Sequence, residues 1–310
     1  MASKIPISFI FSSLIALMLF ISLPTSAQDN LNFPDSIHNK RLKGTIITGS
    51  AMYVGSMVGL YYLWYKDYPH SSFHFIDDSK GWLGVDKVGH MATSYYIGRF
   101  GYTALRWSGV KETPAIWIGG SMGFIILATV EIFDGFSAEW GASAGDIIAN
   151  GVGTVFFIGQ QFLWHDQRFS LKFSYHFTDY ARYNPEHLGE SYAQRFFKDY
   201  NGHTYWLSAN IRSFIRKESK FPKWLNVAVG YGARGMLGAK SNPSEINGET
   251  VPHFNRTPQY YLSLDIDLTR IRTKSEFLNI LLNLVGFIKI PMPTLEYNKD
   301  DQFKFHLLYF

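Results

Sequence analysis

Arg168-Phe169-Ser170-Leu171-Lys172-Phe173-Ser174-Tyr175-His176-Phe177 is the stretch that decides the fold class. Its period is two. Phe169, Leu171, Phe173, Tyr175 and Phe177 fall on one face, and Arg168, Ser170, Lys172, Ser174 and His176 on the other. That alternation belongs to a β-strand. Upstream of His165 the apolar residues come instead in long, nearly uncharged, glycine-containing runs of helical length. The chain therefore reads as α+β: an N-terminal bundle of about four apolar helices, then a C-terminal antiparallel β region.

Working downstream, strand-like runs return at 204–214, 224–237, 260–271 and 303–310. Short helices fit 185–199 and 275–286, and 240–257 reads as a polar loop. Pro291 and Pro293 interrupt the chain before a final hairpin. Five or six strands are fewer than the eight of a small closed transmembrane barrel. The β region is thus expected as a sheet packed on the helices, or as an incomplete barrel. The terminal Phe310, with aromatic residues before it, resembles the last strand of outer-membrane proteins.

Upstream, 44–65 carries no charge over a length that spans a bilayer, and Gly55 and Gly59 have the spacing for close helix contact. Lys40, Arg41 and Lys43 precede it. If the amino terminus is exported these charges lie on the outer side, against the positive-inside preference, which argues against a simple inner-membrane topology. Residues 66–84 form a loop in which His70 and His74 read as surface histidines. Thr113-Pro114 marks a helix start.

Polar residues interrupt the apolar helices at three places. Asp86-Lys87-Val88-Gly89-His90 comes first, then Glu131-Ile132-Phe133-Asp134, then Ser143-Ala144-Gly145-Asp146 with Asn150 one turn later. Spacings of three and four put each set on one helical face. Ionisable groups in such surroundings are costly without a partner or a task. The candidate site residues are therefore Asp86, Lys87, His90, Glu131, Asp134, Ser143, Asp146 and Asn150. A metal reading falls on His90, Glu131, Asp134 and Asp146. An acid–base reading pairs His90 with a carboxylate and makes Ser143 a nucleophile, although no GxSxG elbow surrounds it. Ser143 and Asp146 also have capping-box spacing, so a structural helix start is the simpler role for Ser143. The reading preferred overall is a structural or binding network that fixes how the helices pack. Nothing in the sequence identifies a cofactor.

The order DKxxH, ExxD, SxxDxxxN over about residues 82–160 resembles the YfiM-like family of predicted periplasmic lipoproteins, and more distantly the VanZ-like envelope proteins. The resemblance implies an envelope location and no defined activity. Its motif positions are the eight candidate residues above. One departure is plain: the sequence has no cysteine, so it offers none to acylate.

Composition agrees with an envelope setting. Aromatic residues make up 17% and charged residues also 17%, the latter below the usual quarter or so of a soluble domain. The net charge of +4 is dispersed, with no basic stripe for nucleic acid. Absence of cysteine excludes thiolate chemistry and disulfides. Residues 1–27 read as a signal peptide, with Lys4, an apolar run and Thr25-Ser26-Ala27 at the cleavage position; 28–43 is an exposed lead-in, 44–165 the helical bundle and 166–310 the β-rich region. The expected protein is exported and membrane-associated, on the outer-membrane or periplasmic side. Its expected partner is membrane lipid or another envelope component. The alternative is a hydrolase or transferase acting on a lipid or cell-wall substrate, metal-assisted or not. Amino-terminal sequencing of the mature protein is expected to begin at Gln28; a chain still starting at Met1 contradicts the signal-peptide reading.

Overall fold

The computed structural model describes residues 33–66, 69–216 and 218–310, so the expected signal peptide lies outside the described residues. The fold is α+β. The described residues contain seven α-helices, more than the four or so expected. Four are long: α1 (Asn39–Leu60, continued by a π-helical turn over Tyr61–Tyr65), α2 (Val85–Trp107), α3 (Glu112–Gly135) and α4 (Ala144–Trp164). Three are short: α5 (Pro185–Leu188), α6 (Tyr192–Lys198) and α7 (Glu276–Leu284). The excess is the three short helices: α7 lies in the expected 275–286 stretch, and the expected 185–199 helix divides into α5 and α6, because Gly189 adopts φ 102 and Ser191 starts a new helix with a reciprocal capping box. The lead-in is also shorter than expected, since α1 already begins at Asn39.

The chain divides into two compact units. The first takes in the residues up to Asp78, His90–Gln167 and Ser275–Ile280; the second takes in Ser79–Gly89, Arg168–Lys274 and Leu281–Phe310. The first turn of α2 thus counts with the second unit and the rest of that helix with the first.

Within the first unit the long helices approach closely through glycine. A Cβ on Gly123 of α3 would lie 2.1 Å from the Ser94 carbonyl oxygen of α2, and one on Gly153 of α4 would lie 2.1 Å from that of Met91. Gly98 and Gly119 make similar approaches between α2 and α3. Gly55 of the expected glycine pair on α1 meets nothing within 4 Å. By length and composition α3 and α4, rather than α1, are long and apolar enough to cross a membrane. Pro114 sits in the first turn of α3, two positions later than expected because the helix already starts at Glu112, and there its missing N–H costs no helical bond. Aromatic packing closes the interior, with Tyr95 fully buried against Phe156 and Phe157.

The second unit is built on one six-stranded sheet: β1 (Phe169–Tyr175), β2 (His203–Asn210), β3 (Leu225–Arg234), β4 (Thr257–Ile266), β5 (Met292–Asn298) and β6 (Gln302–Tyr309). All neighbours are antiparallel and consecutive in the chain, an up-and-down meander. One face carries Lys172, Ser208, Asn226, Asp265, Ser263, Gln259, Thr294 and Glu296, all buried. Lys172 Nζ lies 2.8 Å from Asp265 Oδ2, with both side chains fully buried. Ser208 donates to the same carboxylate at 2.6 Å. Glu296 accepts from Gln259 at 2.7 Å and from Asn298 at 2.8 Å, and sits 2.7 Å from His306 Nε2. The other face is apolar.

Substituting Gly153→Ala is expected to cost roughly 1–3 kcal/mol, because the clash is with main chain that has no rotamer to give. Gly55→Ala, facing open space, is expected to be neutral or slightly stabilising. Thermal denaturation of the two variants checks the pair; equal stabilities would remove the glycine contact as the reason for the close packing.

Candidate functional site

The polar site of the first unit is assembled at the junction of three helices. The last turns of α3 supply Glu131 and Asp134, the first turns of α4 supply Asp146 and Asn150, and α2 supplies His90. Ser143 is the N-cap of α4. A short parallel ladder pairs Phe75 with Ala142 and Ile76 with Ser143. That ladder brings Asp78 to the cap, so Ser143 Oγ donates to Asp78 Oδ1 at 2.6 Å.

The cap explains why α4 begins where it does. Ser143 Oγ accepts from the Asp146 N–H at 3.0 Å. In a local capping box the residue three positions on would return a bond to the Ser143 N–H. Here Glu131 does so from another helix, its Oε2 accepting that N–H at 2.9 Å. A carboxylate on α3 thereby fixes the start of α4. Asp146 sits in the first turn of α4, where the helix dipole favours negative charge.

His90 is oriented by Asn150. Its Nδ1 lies 3.2 Å from Asn150 Oδ1. An amide oxygen only accepts, so Nδ1 carries the proton. The second ring nitrogen, Nε2, faces Asp146 Oδ1 at 3.8 Å, beyond hydrogen-bond length. The carboxylate partner that the acid–base reading gives His90 is thus at ion-pair separation, and the hydrogen bond goes to the amide. Ser94, one turn on from His90, donates to the Asn150 carbonyl at 2.8 Å and meets Thr154 Oγ1 at 2.8 Å, bolting α2 to α4 beside the site.

The carboxylates are crowded. His90, Glu131 and Asp146 each offer a ligand-type atom, and these atoms lie within 4.8 Å of one another. Burial pushes the Glu131 carboxyl up to about 7, opposed by its bond from Ser143 and reinforced by the negative charges of Asp146, Asp134 and Asp78. Asp134 is also raised, chiefly by burial, and accepts a 2.5 Å hydrogen bond from Tyr65 at the end of the α1 segment. Asp134 is therefore already occupied, and it stands outside the three-residue group.

Of the eight candidate residues, His90, Glu131, Asp134, Ser143, Asp146 and Asn150 belong to this unit. Asp86 and Lys87 belong to the second unit, where Lys87 Nζ pairs with Asp86 at 3.1 Å. Two participants were missed. Tyr65 closes an apolar run and carries no polar spacing signal. Asp78 belongs to an acidic pair whose link to Ser143 depends on a two-residue ladder that sequence periodicity cannot reveal. His70 is exposed, as a surface histidine.

Residues 74–159 match the family model described as "Predicted periplasmic lipoprotein (DUF2279)". The match spans every candidate residue and stops before the sheet. No curated protein and no solved structure matches the chain. The protein is an exported envelope protein on the periplasmic side, of unknown activity.

Ser143→Ala removes the cap of α4 and the hydroxyl's hydrogen bond to Asp78. The expected loss is about 1–2 kcal/mol. Ser143→Thr, which keeps the hydroxyl, is expected to retain most of that stability in chemical denaturation.

Proposed function

We propose that this envelope protein is non-catalytic and that its polar cluster is a structural binding site for a divalent cation, held by His90, Glu131 and Asp146. The observation that carries this reading is the convergence of their ligand atoms within 4.8 Å. The orientation of His90 supports it. With Nδ1 committed to Asn150, a neutral ring turns the Nε2 lone pair towards a carboxylate. Two acceptors face each other there, and only a proton or a metal ion between them makes the arrangement favourable. A proton on His90 offsets one negative charge. A divalent ion takes in all three donor atoms and also relieves the repulsion among the carboxylates. One imidazole with two carboxylates suits zinc or manganese. Asn150 would then act as the outer partner that sets the histidine tautomer.

The ion would join α2, α3 and α4 at one point, since each helix supplies one donor. A hydrolase or transferase reading is less well supported. The Ser143 hydroxyl is committed both ways, donating to Asp78 and accepting from the α4 backbone. The YfiM-like resemblance rests on these same positions, and it fits a binding role without a reaction.

The pH dependence follows from Glu131. Its folded pKa is raised above the ordinary 4.5 to about 7. Between these values the folded chain holds more protons than the unfolded one, so stability is greatest below about pH 4.5 and falls as pH rises to about 7. That slope is expected in chelator. Adding zinc or manganese at pH 7.5 is expected to raise the melting temperature, because a bound ion stabilises only the folded state. Glu131→Gln is expected to flatten the pH slope and abolish the metal response. A metal-induced rise that survives in Glu131→Gln, or no rise in the native protein, overturns the proposal.

A further inference from the structure

The sheet of the second unit has its polarity reversed. Charged and amide side chains are buried, and the opposite face shows Leu207, Val229, Leu262, Leu264 and Leu295 to the outside. Leu262 is 50% exposed and Phe305 66%, whereas Lys172 is 1% and Asp265 0%. Exposed apolar patches of this continuity mark interaction surfaces.

The register shows what kind of surface it is. Phe173 pairs with Tyr205, Tyr205 with Tyr231, Tyr231 with Tyr260, Tyr260 with Tyr297, and Tyr297 with Phe303. One aromatic row therefore crosses all six strands at a single level. The next outward row is Leu171, Leu207, Val229, Leu262, Leu295 and Phe305, paired in the same way. Beyond it come Phe169, Ala209, Val227 and Leu264, then Leu225 and Ile266. None of these positions carries a charge. Rows two residues apart are separated by roughly 6.7 Å, so three intervals cover about 20 Å. An aromatic level followed by an aliphatic band, with polar groups on the other side of the sheet, is the pattern of a transmembrane β-structure.

We propose that the aliphatic rows of this face, from β2 to β6, lie against the acyl chains of a lipid bilayer, with the exposed Tyr260, Tyr297 and Phe303 of the aromatic row at the level of the headgroups; Tyr205 and Tyr231 of that row pack on residues 82–85 of the same unit. A protein partner would be expected to meet some hydrogen-bonding or charged side chains among the apolar ones; a hydrocarbon phase meets none, and these rows offer only tyrosine hydroxyls at one level. Among the described pairings β6 has one neighbour, β5. A fully immersed open edge would strand main-chain groups. The inserted surface is therefore the side-chain face of an open six-stranded sheet, and no closed pore is implied. The inference is independent of the cation site, which lies in the other unit.

The absence of cysteine makes the test direct. Single variants Tyr260→Cys, Leu262→Cys and Leu264→Cys of the full chain, with Glu249→Cys as an exposed loop control, are spin-labelled and reconstituted into phosphatidylethanolamine–phosphatidylglycerol vesicles. Collision with oxygen is compared with collision with a water-soluble nickel chelate. The expected result is oxygen-dominated accessibility at 262 and 264, a depth rising from 260 to 264, and chelate-dominated accessibility at 249. Chelate-dominated accessibility at 262 overturns the proposal in favour of a solvent-facing sheet. Low collision with both reagents overturns it in favour of a protein-covered face, including a second copy of the chain. If Leu262→Cys fails to fold, Val229→Cys in the same row gives the same reading.

Discussion

A charged group removed from water must find a partner, and the arrangement of this protein follows from that constraint. Each unit buries a set of charged side chains. In the helical unit Glu131 and Asp146 are buried among apolar helices, and each is used to fix main chain or a neighbouring ring. In the sheet Lys172 and Asp265 are fully buried as a pair, and Glu296 is surrounded by Gln259, Asn298 and His306. The polar interior leaves the apolar side chains on the outside, which is an unfavourable arrangement in water and a favourable one beside lipid.

The two interiors differ in how their charges balance. In the sheet the buried carboxylates Asp265 and Glu296 each have cationic or hydrogen-bonding protein partners. Lys289 adds a further cation, its Nζ lying over the Trp206 ring and donating to Ser263, and burial lowers it to about 8. In the helical unit the charges acting on Glu131 are Asp146, Asp134 and Asp78, all negative. The glycine contacts at Gly123 and Gly153 bring α3 and α4 close to α2 about two turns from these carboxylates. A cation bound there, as proposed, would offset this crowding.

Much of this was legible in the sequence. The change of period at Arg168 separates helices from strands because strand alternation survives whichever face is buried. For the same reason it does not say which face points outward. Phe169 and Lys172 alternate identically in a soluble sheet and in an inverted one, and only burial distinguishes them. The motif spacing picks out His90, Glu131 and Asp146, whose ligand-type atoms the structure brings within 4.8 Å of one another. The choice of Asn150 over a carboxylate as the hydrogen-bond partner of His90 depends on the helix crossing set by Gly153, which no spacing encodes. The trans completion of the Ser143 cap by Glu131 was hidden for the same reason, since a capping box is legible only when both halves are local. Asp86 and Lys87 share the motif order, yet they pair with each other in the second unit.

The most direct test of the central claim, that the buried carboxylates of the helical unit need a cation, is elemental analysis. The full-length protein is purified without chelator and compared with Glu131→Gln prepared identically. The account predicts about one equivalent of a divalent transition metal per chain in the native protein and none in the variant. A native protein free of metal, or equal metal in the two, would contradict it.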